Sequence, residues 1–211
     1  MRRLLALLVL IVLSPVASAQ DRPGDFSHYV MALSWNPAWC AAEGDARDAD
    51  QCEARHDHGW LLHGLWPQRE DGWPEYCHTT ARNPSRAMTA GMADIMGSSG
   101  LAWYQWKKHG RCSGLSARGY FDLARKAYDS ITRPQVLRKV TEEISLPPTV
   151  VEDAFLDANP SLKPAQMSVK CRDGMISEVR ICLTKDLELR NCDPITARAC
   201  SAEAIEFPPI R

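Results

Sequence analysis

The chain has 211 residues, with 25 basic side chains against 26 acidic ones and a formal charge of −1. This balance argues against a protein that coats nucleic acid broadly, because such proteins neutralise many phosphates with Lys and Arg. It does not exclude an enzyme that grips one phosphate.

Residues 1–19 have the pattern of an export signal. Arg2 and Arg3 precede an apolar run at residues 4–13, and residues 17–19 form an Ala-Ser-Ala cleavage site. The run is too short to span a bilayer, and no later stretch approaches the roughly 20 apolar residues that a spanning helix needs. We expect an exported soluble protein without a membrane anchor.

The predicted mature chain is residues 20–211, and its formal charge is −3 because cleavage removes Arg2 and Arg3. Its length suits a single domain with a sizeable core. No Ser/Gly-rich linker, charge block or internal repeat divides it, so we expect one domain.

All the cysteines lie in the predicted mature part, and an even number behind an export signal indicates four disulfides. They form no CxxC pair, which argues against a zinc ribbon or a thiol redox motif. No Asn heads a glycosylation sequon, which favours a bacterial periplasmic or extracellular protein. The cysteines are Cys40, Cys52, Cys77, Cys112, Cys171, Cys182, Cys192 and Cys200.

Two strands are predicted in the first third of the mature chain. Residues 29–35 are apolar and β-compatible, and the strand should stop at Asn36-Pro37. Residues 41–57 form a polar excursion that a disulfide between Cys40 and Cys52 would close. Residues 60–66 then indicate a second buried strand.

A surface loop and two helices should follow. Residues 69–83 are rich in Gly, Pro and polar side chains, which favours a loop. A helical spacing of apolar residues predicts a helix that ends at Gly97 and Gly100; its residues are Met88, Met92, Ile95 and Met96. Residues 101–109 indicate a second helix, which Gly110 stops.

Three further helices are predicted, and then a hairpin. Helical faces recur at residues 120–131 and 136–144, and Thr149 with Glu152 forms a capping box for a helix that ends before Pro160. Residues 167–171 and 175–183 alternate around an Asp-Gly turn. Helices in the middle and strands at both ends predict an α+β domain with a central antiparallel sheet.

His63 lies on the second predicted strand, which would hold it rigidly. A lone His in an apolar run is usually a packed core residue, so it needs a partner to indicate chemistry. Lys108-His109 supplies one at the end of a predicted helix. Two imidazoles and an ammonium group suit phosphoryl transfer on RNA, because one imidazole removes the 2′-OH proton, the other protonates the leaving oxygen, and the lysine offsets charge on the phosphorane.

The two segments resemble the active-site motifs of the ribonuclease T2 family. The family's His-Gly-Leu-Trp-Pro is matched by residues 63–67, and five residues match the second motif: Trp106, Lys108, His109, Gly110 and Cys112. Residues 32–35 resemble the family's first strand, and the cysteine layout is similar over most of the mature chain. The resemblance implies a disulfide-stapled α+β ribonuclease T2-like fold.

The resemblance also implies site roles. His63 would be the general acid, His109 the general base and Lys108 the electrostatic stabiliser in a reaction that passes through a 2′,3′-cyclic phosphate to a 3′-phosphate, with no metal or cofactor. The substrate would be single-stranded RNA and not DNA, and the protein would act as a monomer.

The base-binding residues follow from the same resemblance. Trp66, with Gln68 and Trp73, would form the pocket for the base on the 5′ side of the cut, and Asn36 would contact the following base. Stacking in such a pocket contributes about 1 to 3 kcal/mol per base and tolerates many sequences.

Two positions depart from the family pattern. The family's glutamate is Gln105 here, and its auxiliary histidine is Tyr104. Either side chain could donate a hydrogen bond to a phosphoryl oxygen, but neither replaces the lost charge or proton. We expect activity that is retained but reduced or shifted in pH optimum.

The resemblance further implies the pairing of the remaining cysteines. Cys77 would bond to Cys112 and tie the loop after the first motif to the second motif, while Cys171–Cys200 would enclose Cys182–Cys192. The sequence alone allows many other pairings.

Other interpretations remain beside the enzyme. His56 and His58 form an H-x-H pattern that could bind metal, but without a companion ligand set a polar loop is favoured. His28 and His78 are expected to be structural or surface residues. Gln105 and Tyr104 also motivate a binding module that holds RNA without efficient cleavage, and a third interpretation is a secreted protein that uses the cleft for protein contacts.

Overall fold

The computed structural model describes residues 21–211, so the predicted export signal at residues 1–19 lies outside the described residues. One six-stranded sheet forms the centre of the fold. Its strands are β1 (His28–Trp35), β2 (Trp60–Gln68), β3 (Ile144–Leu146), β4 (Met167–Arg172), β5 (Met175–Leu183) and β6 (Ile205–Phe207).

The sheet is built around β1 and β5. Its order is β2-β1-β5-β6-β3, with β4 also paired to β5, and every pairing is antiparallel except the short contact of β5 with β6. The predicted strands at residues 29–35 and 60–66 are confirmed. The predicted hairpin joins β4 to β5, and Asp173 and Gly174 both adopt positive φ angles, which suits an Asp-Gly turn.

Six α-helices accompany the sheet in the described residues. They are α1 (Asn36–Trp39), α2 (Arg86–Ala90), α3 (Ala93–Met96), α4 (Ser99–Lys108), α5 (Ala117–Asp129) and α6 (Pro148–Ala158). The predicted α+β class is therefore confirmed.

The two faces of the sheet differ in what covers them. Tyr29, Met31, Leu33 and Trp35 alternate along β1 into the main hydrophobic core. The other face carries a small apolar cluster of Val30, Ala32, Trp66 and Cys182. This second face carries the side chains of the candidate site.

Helix α5 fixes the position of β2. Its buried Tyr120 donates a hydrogen bond of 2.9 Å to the Leu65 carbonyl oxygen, and Tyr128 donates one of 3.0 Å to the carbonyl oxygen of Trp60. Buried tyrosine hydroxyls usually find such a partner. The strand that carries His63 is therefore bonded to α5 on both sides of that histidine, at Trp60 and at Leu65.

Three helix predictions were wrong in detail. Residues 136–144 form no α-helix, because a 3-10 turn at Gln135–Lys139 is followed by β3. The short segment has Pro134 before it and Pro147 after it, and its apolar spacing fits a turn and a strand equally well.

The other two differences concern helix ends. No capping box forms at Thr149, because α6 begins one residue earlier at Pro148, whose missing N–H suits the first helical position. Gly97, with φ of 81°, ends α3 as predicted, but Gly100 lies inside α4. The helix predicted over residues 88–96 is split into α2 and α3.

Four disulfides join the described cysteines. They are Cys40–Cys52, which was predicted to close the polar excursion, and Cys77–Cys112, Cys171–Cys200 and Cys182–Cys192, which are the pairings that the resemblance implied. Cys77–Cys112 connects the loop after β2 to the turn after α4. The predicted disulfide-stapled fold is confirmed.

Candidate active site

A β-bulge in β2 directs His63 out of the core. Leu62 pairs with Leu33 and Gly64 pairs with Ala32, so His63 is the extra residue between them. Bulges of this kind re-aim a side chain and are frequent beside active sites. The His63 side chain is consequently about one third exposed, whereas Leu62 is fully buried.

The nearest partner of His63 is Glu178 on β5, two strands away. Nδ1 of His63 lies 2.5 Å from Oε1 of Glu178, and the guanidinium of Arg180 donates to the other carboxylate oxygen at 2.8 Å. Burial raises the pKa of Glu178, but hydrogen bonding and charge from His63 and Arg180 outweigh it and lower that pKa to about 2. Glu178 is therefore a buried, ionised carboxylate.

Sequence reasoning missed Glu178. The signal was present, because Glu178 and Arg180 share the face of β5 opposite the apolar Val179 and Ile181. Nothing in the local sequence, however, indicated that this face meets His63.

Trp66 and Gln105 form a buried hydrogen-bonded pair next to the two histidines. The Trp66 indole N–H donates a 2.8 Å hydrogen bond to Oε1 of Gln105, and Gln105 is 1% exposed. A Cβ on Gly64 would lie 2.2 Å from that oxygen and 2.4 Å from the indole nitrogen. A glycine at this position of the first motif is thus what allows the two side chains to meet.

His109 follows directly on α4 and is almost fully buried. Its ring stacks on Trp66 with centroids 5.3 Å apart, and the ring of His63 meets the same indole edge-on at 5.2 Å. Nδ1 of His109 has no hydrogen-bond partner within residues 21–211. The structure thus brings His63 and His109 to one aromatic side chain.

The environment keeps His109 neutral. Burial first, and then the positive charges of Lys108 and His63, lower the pKa of His109 to about 3. The next residue, Gly110, packs so closely that an added Cβ would lie 2.6 Å from Trp106 and 2.9 Å from Tyr120. This close packing fixes the backbone that carries His109.

Lys108 faces the loop that follows β2. Its ammonium nitrogen lies 3.4 Å from a carboxylate oxygen of Glu75, and its carbonyl oxygen accepts a 2.8 Å hydrogen bond from the backbone of Tyr76. With the Cys77–Cys112 disulfide, these contacts fasten the loop to the end of α4.

The other predicted site residues lie in different environments. Trp73 and Tyr104 are exposed, and the hydroxyl of Tyr104 is 3.5 Å from that of Tyr76. Gln68 is buried at the end of β2, paired with His28. Within residues 21–211 these residues form no hydrogen bond with His63 or His109, although Tyr104 lines the same cleft as His63.

Asn36 is buried, and its side chain is hydrogen-bonded to Gln51. The Asn36 amide donates to the Gln51 carbonyl oxygen at 3.0 Å, and the Gln51 side chain donates to Asn36 at 2.9 Å. Gln51, not Asn36, lines the main cleft.

The main cleft has a volume of about 930 Å³ and opens beside the site. His63, Glu178 and Tyr104 line it together with Gln51, Arg47 and Arg172. A cleft of this size suits a ligand larger than one nucleoside.

The remaining histidines have other surroundings. His28 is fully buried and contacts Ser27 and Asp193, so it has the structural position expected of it. His56 stacks on His58, and its Nε2 is 3.0 Å from Asp50. Within residues 21–211 no cluster of three potential metal ligands occurs.

The fold defines the class of protein. Over 89% of this chain and all of the other, the structure resembles trichomaglin, which its description calls an S-like ribonuclease, with a TM-score of 0.68 and 19% identity. This likeness shows a ribonuclease-type fold.

Sequence comparison then identifies the family. The model of the ribonuclease T2 family matches residues 26–192. A ribonuclease of Aeromonas hydrophila is 32% identical over 185 residues, which are 87% of this chain and 83% of that protein. A probable ribonuclease of Haemophilus influenzae is 25% identical over 82% of this chain and 63% of its own length. The chain belongs to the ribonuclease T2 family, and this membership supports endoribonuclease activity on RNA.

Proposed function

We propose that this protein cleaves single-stranded RNA by transesterification of the phosphodiester, with His63 and His109 transferring the protons. The observation that carries the proposal is their meeting at Trp66, with one imidazole exposed to the cleft and the other buried and neutral. Two imidazoles in different environments suit opposite proton-transfer roles.

His109 acts as the general base. A neutral imidazole accepts a proton, and the lowered pKa of His109 keeps it neutral from mildly acidic pH upwards. It removes the proton of the ribose 2′-OH, and the 2′ oxygen then bonds to phosphorus. Lys108 offsets the negative charge that develops on the phosphorane oxygens.

His63 acts as the general acid. It donates a proton to the leaving 5′ oxygen as the bond from phosphorus to that oxygen breaks, which produces a 2′,3′-cyclic phosphate and a free 5′-OH. In the second half-reaction the roles exchange, and water opens the cyclic ester to a 3′-phosphate. The chemistry needs no cofactor.

The bases would be held by aromatic and amide side chains. Trp66 is buried and in contact with His109 and Arg180, so the exposed Trp73 and Tyr104 offer the more accessible stacking surfaces. Gln68 and Asn36 are buried, so a base contact would require either side chain to move. Gln105 accepts the Trp66 indole hydrogen bond through Oε1 and so orients that ring, which leaves its amide nitrogen as the group that would donate to a phosphoryl oxygen.

The four disulfides fit an exported protein, since such bonds persist in oxidising compartments. Within residues 21–211 no helix is long and apolar enough to cross a bilayer. We propose that residues 1–19 direct export to the periplasm or the medium and that residues 20–211 act there as a monomer.

The first test is substrate selectivity in the presence of a chelator. RNA should be cut, whereas DNA and 2′-O-methyl RNA of the same sequence should remain intact because both lack the nucleophile. Electrophoresis measures the cleavage, and mass spectrometry of the fragments should find cyclic phosphate ends. RNA left uncut from acid to neutral pH would instead support an RNA-binding module.

The second test is the pH dependence of cleavage. His109 must be deprotonated to act as base. The midpoint of the acid limb of the kcat/KM profile should therefore lie near pH 3 rather than near the usual pKa of histidine. Replacing Lys108 by Met removes one charge that lowers this pKa, so the limb should move to higher pH while kcat falls. Circular dichroism at each pH controls for unfolding. An acid limb at the same pH in Lys108→Met and the unchanged protein would contradict the assignment of His109 as the general base.

A further inference from the structure

We infer that Glu178 is a positioning residue for His63, so that β5 places a carboxylate on that imidazole in a site whose second motif has Gln105 instead of the family's glutamate. The inference rests on the proposed function and deepens it. The family's pattern has a glutamate where this chain has Gln105, and Gln105 is uncharged and buried below Trp66.

The contacts hold the carboxylate from two sides. Oε1 of Glu178 accepts from Nδ1 of His63 at 2.5 Å, while Oε2 accepts from Arg180 at 2.8 Å. The guanidinium of Arg180 also lies over the Trp66 ring, 5.1 Å from its centroid. Glu178 is 9% exposed, so its direction is fixed by these partners and not by solvent.

The sheet register makes this arrangement rigid. Glu178 pairs with Ser34 and Arg180 pairs with Ala32 on β1, and Ala32 in turn pairs with Gly64 beside the bulge. Groups placed on strands are held more precisely than groups on loops. The carboxylate therefore reaches across β1 to the imidazole without any flexible segment between them.

This contact determines which nitrogen of His63 can act. With the Nδ1 proton donated to Glu178, the transferable proton resides on Nε2, which can face the leaving oxygen. A carboxylate bonded to Nδ1 of a catalytic histidine fixes the tautomer and stabilises the imidazolium without taking the proton itself. Glu178 stays ionised throughout, and the proton passes from Nε2 of His63 to the 5′ oxygen.

The other charges around His63 do not replace Glu178. Arg180 on β5, Lys170 on β4, and Lys108 and His109 at the end of α4 are basic or neutral, and Tyr104 is the phenol on the α4 side. Lys170 donates to the carbonyl oxygen of Thr196 and lies opposite Glu178 in the sheet. The cleft also holds the carboxylates Glu43 and Asp173, which both pair with Arg172, whereas Glu178 is the one hydrogen-bonded to His63.

The experiment compares two leaving groups in Glu178→Gln. A dinucleotide needs a proton on its leaving 5′ oxygen, whereas a nucleoside 3′-(4-nitrophenyl phosphate) does not. The kcat for the dinucleotide should fall by roughly 10²-fold, within the contribution of general acid catalysis. The kcat for the nitrophenyl ester should stay near that of the unchanged protein, and the alkaline limb of the dinucleotide profile should move to lower pH.

Matched variants separate positioning from general damage. Asp94→Asn removes a carboxylate that pairs with Arg125 outside the cleft, and it should leave both substrates unaffected. Adding Glu178→Gln to His63→Ala should cause no further loss, because the carboxylate acts through the missing imidazole.

Three outcomes would overturn the inference. They are equal losses on both substrates, an additive loss in the His63→Ala background, or NMR of the unchanged protein showing no proton on Nδ1 of His63. The NMR measurement does not depend on the folding of Glu178→Gln. If the unchanged protein cleaved neither substrate, the proposed function itself would fail, which is a different result from equal losses.

Discussion

His63→Ala and His109→Ala should each lower kcat/KM for RNA by roughly 10²- to 10⁴-fold, the range that positioned acids and bases contribute. The reason is that, in the proposed mechanism, each imidazole transfers one of the two protons on which the reaction depends. His63 reaches the cleft through a β-bulge, and His109 is held neutral by burial, so the two imidazoles suit opposite proton-transfer roles. Steady-state cleavage of a short RNA measures the loss.

The control is His78→Ala, which removes an exposed histidine in the loop after β2. It should cleave RNA as the unchanged protein does. The double variant of His63 and His109 should be little worse than either single variant, because residues that act as a unit have non-additive effects. A fully active double variant would place the site elsewhere in the protein.

Replacing Cys77 and Cys112 by Ser should lower the free energy of unfolding by about 4 kcal/mol. The disulfide closes a loop with a sequence separation of 35, and the chain entropy released in the unfolded state rises with loop length. The loss should also reach the site, since the same bond fastens the loop after β2 to the turn that follows His109. Urea unfolding measures the stability, and RNA cleavage at a temperature where the variant is folded measures the site.

The comparison is the pair Cys40 and Cys52, whose sequence separation is 12. The same entropy argument gives about 3 kcal/mol for its removal. The two variants should have similar stability, but the Cys77 and Cys112 variant should lose more activity, because Cys77–Cys112 is the disulfide that joins the turn after His109 to the loop after β2. A larger loss of RNA cleavage from the Cys40 and Cys52 variant would contradict the proposed link between Cys77–Cys112 and the site.

Local patterns predicted much of the fold. Residues 29–35 and 60–66 were predicted as strands from short apolar, β-compatible runs with turn residues beside them, and both predictions are confirmed. The Asp173-Gly174 turn could also be predicted, because Asp and Gly tolerate the positive φ angles that a tight hairpin turn requires. The helix predicted over residues 136–144 was wrong because a short apolar spacing does not distinguish a helix from a turn and a strand.

Only part of the candidate site could be predicted from the sequence. His63, Lys108 and His109 were selected from two short motifs, in which the residues that matter lie close together in the sequence. Gln105 illustrates the limit of that approach. The residue type is given by the sequence. Its hydrogen bond with Trp66, however, depends on the close approach of the two side chains that Gly64 permits.

The sequence by itself determined the two histidine motifs, the even set of cysteines, and the alternation that places Glu178 and Arg180 on one face of β5. Only the tertiary structure decided that this face lies beside His63. Glu178 is 115 residues away along the chain, and it meets the imidazole because β1 pairs with both β2 and β5 in particular registers. Register depends on how whole strands bury their apolar faces together, which no single segment encodes.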